Sequence, residues 1–168
     1  REAIRLAPDA ARAHHRMGFA LALPGNISEA IHEFSTAVLL EPQNAAFWHD
    51  LGIAHMRANE PDNALADFDD ALRVDSQYSA AYMNRGNAWS QKGDQSKAIA
   101  DYTEAIRLDP GYAEAYFNRG VAWLRKGDSE KATIDLLESA RHSRALLNTV
   151  NEWLSRPPPS PEADSVVP

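Results

Sequence analysis

The residues best suited to chemistry in this 168-residue chain are its histidines and aspartates. No histidine lies in an HExxH pattern, and the chain contains no cysteine, which excludes the common zinc-protease, thiolate-metal and thiol-nucleophile arrangements. No G-x-S-x-G sequence and no glycine-rich phosphate loop occurs either. The six histidines are His14, His15, His32, His49, His55 and His142. The sequence therefore predicts a protein that is not an enzyme and has no catalytic, cofactor-binding or metal-binding residues.

Two weaker hypotheses concern groups of titratable residues. His15 and His49 are 34 residues apart and would lie on neighbouring helices if the chain repeats at that interval. Such a pair could bind a metal ion or form a pH-sensitive contact, since imidazole does both near neutral pH. Asp67, Asp69 and Asp70 lie in a helical stretch without the glycine of a calcium loop, which favours a solvated acidic face.

A 34-residue interval organises the elements that must position these side chains. Each interval contains two helical stretches, which in 79–112 are separated at Lys92-Gly93-Asp94. A glycine inside a helix costs about 1 kcal/mol relative to alanine, so recurring glycines predict close packing against the partner helix. The recurring small residues are Gly18, Gly52, Gly86 and Gly120, with Ala30, Ala64, Ala98 and Ala132. The chain is therefore an array of helix pairs.

Capping residues and prolines mark where the helices begin and end. Asn26, Asp94 and Asp128 each stand where an N-cap is needed, and Glu29 completes a capping box with Asn26. Pro61 suits the first position of a helix. Proline does not continue a helix, so we expect helices to stop at three further prolines. These are Pro8, Pro42 and Pro110.

The repeating pattern resembles the tetratricopeptide repeat (TPR), whose signature is W-x2-L-G-x2-Y, then A-x3-F, A and P over 34 residues. The interval 79–112 matches it at Tyr82, Arg85, Gly86, Trp89, Ala98, Tyr102, Ala105 and Pro110. The resemblance implies an all-α fold, a right-handed α-solenoid of stacked antiparallel helix pairs with a C-terminal capping helix. The implied divisions are 1–10 for the end of a preceding repeat's second helix, 11–44, 45–78, 79–112 and 113–146 for four repeats, 147–156 for the capping helix and 157–168 for a proline-rich tail.

Charge and hydropathy narrow the classes of partner. The formal net charge of −7 argues against nucleic acid, which requires a continuous basic face. No apolar run approaches the about 18 residues of a membrane span. Residues 1–6 do not resemble a signal peptide, which favours the cytoplasm without fixing the compartment. Residues 2–8 parallel 104–110, so we expect a fragment of a longer repeat-containing protein.

The same resemblance implies that the first helix of each repeat lines a concave groove where a protein or peptide ligand binds. Asn84 and Asn118 share a position there, and each amide offers a donor and an acceptor to an extended peptide backbone. They resemble half of the asparagine ladder of glycosyltransferase-associated TPR proteins, because Arg16 and Asp50 occupy the other two places. The alternative is that both asparagines are merely tolerated in a solvated groove. The candidate groove residues are Asn84, Asn87, Asn118, Met83, Phe117, Val121, Ile53, His49, Gln91 and Arg125.

A second comparison within the family concerns acidic tails. Chaperone-tail-binding members hold a C-terminal carboxylate with lysines and asparagines on consecutive first helices. Here the corresponding positions hold His15 or His49 rather than lysine, and Asn87 has no basic residue beside it in its own helix. Capture of an acidic C-terminal tail is therefore disfavoured.

Two arginines of the first helices have a structural interpretation. Arg85 and Arg119 face the second helix of their own repeats, where Asp101 and Asp135 are suitably placed. We expect each arginine to form an ion pair that joins the two helices of its repeat.

The sequence thus predicts a protein–protein interaction module that binds an extended or short helical peptide segment in its groove. Two alternatives stay open: a self-associating structural scaffold, which would form homo-oligomers, and a regulatory repeat domain of a larger enzyme. Because the groove column changes from Arg16 and Asp50 to Asn84 and Asn118, the repeats 79–112 and 113–146 are the expected ligand region.

Overall fold

The structure is a computed structural model that describes residues 2–154, and within this range every regular element is a helix. Consecutive helices pack against each other along the whole range, which confirms the predicted all-α solenoid. None of the described helices is long and apolar enough to cross a membrane. The helices are α1 (Glu2–Ala22), α2 (Ile27–Leu40), α3 (Ala45–Arg57), α4 (Pro61–Val74), α5 (Ser79–Gln91), α6 (Gln95–Leu108), α7 (Ala113–Arg125), α8 (Ser129–His142) and α9 (Arg144–Leu154). We number the pairs α1–α2, α3–α4, α5–α6 and α7–α8 as units 1 to 4.

The two ends of the array differ from the sequence expectation. α1 is one helix that runs through Pro8, so the helix end expected there is not observed. A proline removes one backbone donor, and the alanines, arginines and leucine around it favour helix on both sides. α9 begins three residues before the expected start of the capping helix, and Val150 of the predicted apolar stripe is buried. The side chain of Trp153 and the proline-rich tail 157–168 lie outside the described residues.

The glycine column marks the closest approach between the two helices of each unit. A Cβ added at Gly86 would lie 2.6 Å from the ring of Tyr102, closer than carbon atoms can pack. Gly18 and Gly52 meet Phe34 and Phe68 in the same way, at 2.7 and 2.6 Å. These rings are buried. The predicted packing of the partner helix against the glycines is therefore confirmed, and the atom group that fills the space is an aromatic ring sixteen residues later.

The turn inside each unit uses a second recurring position in the left-handed backbone region. Gly25, Gly93 and Gly127 have φ between 83° and 96°, and Asn59 takes the same place with φ 61°. The next residue donates its N–H five residues back, as Asp94 does to the carbonyl of Trp89 at 3.0 Å. This hydrogen bond is the one that closes a helix C-terminus in a Schellman motif.

The predicted N-caps are confirmed in units 3 and 4 and wrong in unit 1. Asp94 and Asp128 accept the backbone N–H of the residue three places later, each at 3.0 Å. Asn26 makes no side-chain cap bond, so the predicted capping box with Glu29 is not formed. Backbone bonds close this turn instead, including Ala30 N–H to the carbonyl of Asn26 at 3.0 Å. Pro61 occupies the first turn of α4 as predicted.

Candidate functional site

The first helices of consecutive units approach each other, with α3 contacting α5 and α5 contacting α7. Alternate helices crowd on the inner side of a curved stack, so these contacts identify the first-helix side as the concave one. We call this inner surface the groove. It includes the side chains that line three successive depressions between α1 and α3, between α3 and α5, and between α5 and α7.

The three depressions follow the array from unit 1 to unit 4. Their volumes are about 60, 200 and 140 Å³. Each is smaller than the about 300–1,000 Å³ of a typical small-molecule site, so each fits a single side chain better than a compact ligand. A larger depression of about 490 Å³ lies outside the groove, beside the helix ends around Asn44 and Tyr78. The groove residues that line the three depressions include Phe19, Ile53 and Arg57 in the first, Ile53, Met56, Arg57, Asn84 and Asn87 in the second, and Asn87, Ser90, Asn118, Val121 and Arg125 in the third.

Hydrogen bonds link neighbouring units along the floor of the groove, beginning at a shared carboxylate. Nε2 of His15 lies 2.7 Å from one oxygen of Asp50, and Nδ1 of the buried His49 lies 3.3 Å from the other. Burial would raise the pKa of Asp50, but the hydrogen bonds from the two histidines outweigh it and hold that pKa below its ordinary value. Asp50 is therefore an ionised acceptor, and both imidazoles donate to it.

The chain of bonds continues through amides. Because Nδ1 of His49 donates, its Nε2 accepts, and Nδ2 of Asn84 lies 2.9 Å from it. Oδ1 of Asn84 accepts from Nδ2 of Asn87 at 3.4 Å. Oδ1 of Asn87 accepts from the hydroxyl of Tyr102 at 2.8 Å and from Nδ2 of Asn118 at 2.9 Å. Donors alternate with acceptors throughout, so one network runs from unit 1 to unit 4. We call it the groove network: His15, Asp50, His49, Asn84, Asn87, Tyr102 and Asn118.

The two amides of the predicted ladder are therefore also part of the protein's own hydrogen bonding. Asn84 spends one donor on His49, and Asn118 spends one on Asn87. Each amide nitrogen keeps a second hydrogen, and Oδ1 of Asn118 has no partner among residues 2–154. Both side chains are half-buried at the groove surface. Their contact with a peptide backbone stays a prediction.

The structure gathers some of the predicted groove residues and separates others. The predicted residues that line the depressions are Ile53, Asn84, Asn87, Asn118, Val121 and Arg125. His49 is only 7% exposed, so its ring supports the groove from below. Met83 packs against the hydrophobic core, and Gln91 donates to Oδ1 of Asn59 at 2.7 Å on the rim. Phe117 is half-buried and lines none of the three depressions.

Comparison with known proteins identifies the repeat. A family model described as the TPR repeat matches residues 86–127. The crystal structure of MamA has the same fold, with a TM-score of 0.76 at 22% identity over 88% of this chain and 86% of that chain. YrrB, described as a TPR protein with an unusual peptide-binding site, gives 0.73 at 23% identity over 85% and 75%. This chain is a TPR protein.

A third solved structure shows this repeat with a ligand. The first TPR of Spaghetti (RPAP3), bound to the HSP90 peptide SRMEEVD, gives a TM-score of 0.70 at 22% identity over 71% of this chain and 95% of that chain. At identities this low the likeness concerns the fold alone. No curated protein matches the chain in sequence.

The TPR array carries an acidic position on the second helix of every unit. The predicted ion pairs are confirmed: Arg85 binds both oxygens of Asp101 at 2.8 and 2.7 Å, and Arg119 binds Asp135 twice at 2.7 Å. Both aspartates are buried. The acidic residues are Glu33, Asp67, Asp101 and Asp135, at intervals of 34 residues.

Units 1 and 2 use histidine where units 3 and 4 use arginine. His14 lies 2.7 Å from Glu33, and His55 lies 2.5 Å from Asp67. Burial raises the pKa of Asp67 to about 6, although its hydrogen bond with His55 lowers it. The hydrogen bond to Asp101 raises the pKa of Arg85 above its ordinary value, so that guanidinium stays charged. The protonation of unit 2 is therefore sensitive to mildly acidic pH.

Sequence reasoning missed the bonds between units because they do not follow the 34-residue interval. They follow a spacing of 35 residues, since a side chain reaches one position further along the next first helix. His15 and His49 illustrate this: they do not bond to each other, but each contacts Asp50. Within the described range, no group of three or more histidine, cysteine or carboxylate side chains is arranged to hold a metal ion. The 35-residue pairs are His15 with Asp50, His49 with Asn84, Ala22 with Arg57 and Ser90 with Arg125.

Proposed function

We propose that this TPR protein binds a segment of another protein in the groove, as an extended or short helical peptide. The row of three depressions, one for each step between units, carries this proposal. Helices in contact lie about 8–10 Å apart, a step that about three residues of an extended chain cover at about 3.3 Å each. Successive side chains on one face of an extended segment would therefore reach successive depressions.

The surface chemistry of the depressions supports the same proposal. Ile53 and Val121 offer half-buried apolar surface, and the amides of Asn84 and Asn118 lie beside them with unused hydrogen-bonding capacity. A few polar groups around apolar anchors give both affinity and register. The peptide in the Spaghetti structure and the peptide-binding site described for YrrB are consistent with an interaction module.

The experiment is a selection followed by measured affinities. A library of random internal peptides is selected on the purified 168-residue chain, and dissociation constants of the enriched peptides are measured by fluorescence anisotropy. We expect the double variant Asn84→Ala with Asn118→Ala to weaken binding about tenfold or more, since each amide is assigned at least one backbone hydrogen bond. The matched control is Asn63→Ala, an exposed asparagine of α4 outside the groove. Unchanged affinity in the double variant, with thermal melts showing folded protein, would contradict the proposal.

Exposed apolar side chains outside the groove favour the alternative of self-association. Leu39 on α2 is 81% exposed, and Ile134 and Leu137 on α8 are 56% and 48% exposed. Single exposed side chains are ordinary, whereas clusters of them mark contact surfaces. Light scattering separates the two functions: a concentration-dependent dimer that Ile134→Ser and Leu137→Ser abolish would favour the scaffold. A monomer at all concentrations would leave peptide binding as the better account.

A further inference from the structure

The arginines of this chain divide by the surface on which they lie. On the second helices, Arg73, Arg107 and Arg141 each pair with the carboxylate three residues earlier. Arg85 and Arg119 pair with buried aspartates. The arginines of the groove side form no salt bridge with any described residue. They are Arg12, Arg16, Arg57 and Arg125, and all four are exposed.

A shortage of carboxylates does not explain this division, because the chain has 24 acidic residues and 17 lysines and arginines. The acidic residues lie mostly on the second helices and in the turns. In α3, α5 and α7 the acidic residues are Asp50 and Glu114. Asp50 is already engaged by His15 and His49. A protein with a formal net charge of −7 thus has a groove with more cationic than anionic side chains.

Two of these arginines are held beside the depressions with donors to spare. Nη2 of Arg57 donates to the carbonyl of Ala22 at 2.8 Å, and Nη1 of Arg125 donates to the hydroxyl of Ser90 at 2.8 Å. A guanidinium has five N–H donors, so most stay available. Each bond fixes the side chain without neutralising its charge. Arg57 lies next to Ile53 in the first two depressions, and Arg125 lies next to Val121 in the third.

We propose that the groove selects internal peptide segments in which aspartate or glutamate alternates with apolar residues. This inference rests on the proposed peptide binding. Apolar side chains fill the depressions at Ile53 and Val121, and neighbouring carboxylates accept hydrogen bonds from Arg57 and Arg125. The acidic outer surface repels the same segment, so electrostatics guide it to the groove. The recognised groups are side-chain carboxylates, which separates this mode from capture of a free C-terminus.

The test uses the composition of peptides selected from the random internal library. We expect enrichment of aspartate and glutamate over lysine and arginine. In the tightest peptide, replacing each acidic residue by its amide should weaken binding about tenfold, and replacement by lysine should weaken it further. The affinity of the acidic peptide should fall as the salt concentration rises, because exposed ion pairs are screened. Acetylated and amidated peptide ends remove any contribution from terminal charges.

Matched arginine variants locate the effect. Arg57→Gln with Arg125→Gln should abolish the preference for the acidic peptide over its amide counterpart. Arg73→Gln with Arg107→Gln removes the same charge from the outer surface and should leave the preference unchanged. Groove-binding peptides without acidic enrichment, or a preference that survives loss of Arg57 and Arg125, would overturn this inference and leave peptide binding intact. Failure to select any peptide would remove the proposed function and this inference with it.

Discussion

Nε2 of His49 accepts a hydrogen bond from the amide of Asn84 at 2.9 Å, and this contact joins unit 2 to unit 3 beneath the groove. His49 is buried, and its Nδ1 donates to Asp50 at 3.3 Å, so the ring has one fixed neutral tautomer. Asn84 is therefore both a surface amide and a structural partner. The same residue that is proposed to meet a peptide also holds two repeats in register.

The two ladder asparagines should differ in their effect on stability. Asn84→Ala leaves Nε2 of the buried His49 without a donor, which costs about 1–3 kcal/mol of unfolding free energy. Asn118→Ala costs less, because Oδ1 of Asn87 keeps its hydrogen bond from Tyr102. Urea unfolding followed by circular dichroism measures both. Equal losses in the two variants would show that the bond between His49 and Asn84 does not bear on stability.

The glycine column predicts an unequal response to alanine. Gly86→Ala places a methyl group 2.6 Å from the buried Tyr102 ring, and overpacking of this kind costs about 1–3 kcal/mol, more than the gain in helix propensity. At Gly120 the nearest group is the more adaptable Leu136, at 3.1 Å. Gly120→Ala should therefore be close to neutral. Thermal unfolding of the two variants gives the comparison, and a larger loss at Gly120 would contradict it.

The turn position of unit 2 offers a stabilising change. Asn59 has φ 61°, a region that costs a residue with a side chain more than it costs glycine. Asn59→Gly should leave the unfolding free energy equal or raise it by about 0.5 kcal/mol, offset in part by the lost contact with Gln91. Gly93→Ala at the equivalent turn should lower it by about 1–2 kcal/mol, although no atom lies within 4 Å of the added methyl group. Calorimetry of both variants checks the opposite signs.

Asp67 gives unit 2 a pH dependence with a definite sign. Its folded pKa of about 6 lies above the unfolded value of 3.8, so the folded chain binds the proton more tightly. The contribution of Asp67 to stability is full below pH 4 and is lost as the pH rises through 6. Asp67→Asn has no such loss, so its stability relative to the parent chain should increase between pH 4 and pH 7.

The control for this titration is the equivalent aspartate of unit 3. Asp101→Asn breaks a bidentate pair with Arg85 and leaves a partly buried guanidinium without its carboxylate, so it should destabilise the protein across the same pH range. Denaturation midpoints of both variants at pH 4, 5, 6 and 7 provide the test. A flat difference between Asp67→Asn and the parent chain would show that burial does not perturb this carboxyl.

The repeat interval explains which features sequence could predict. Gly86, Arg85 and Asp101 act within one unit, where positions differ by a fixed number, so their packing and pairing follow from the 34-residue pattern. The bond from His49 to Asn84 joins two units at a spacing of 35, which an alignment of equivalent positions does not show. His55 and His14 replace arginine from different positions of the first helix, so the acidic column alone gives no partner. The helix through Pro8 depends on the balance of one lost hydrogen bond against good helix formers.

Peptide binding in the groove is the central claim, and chemical-shift mapping tests it most directly. The labelled chain is titrated with a selected peptide, and backbone and side-chain amide resonances are followed. The account predicts shifts at Ile53, Asn84, Asn118 and Val121, with the outer residues of α4 and α6 unchanged. Shifts confined to the second helices, with the Asn84 and Asn118 side-chain amides unmoved at saturation, would contradict it.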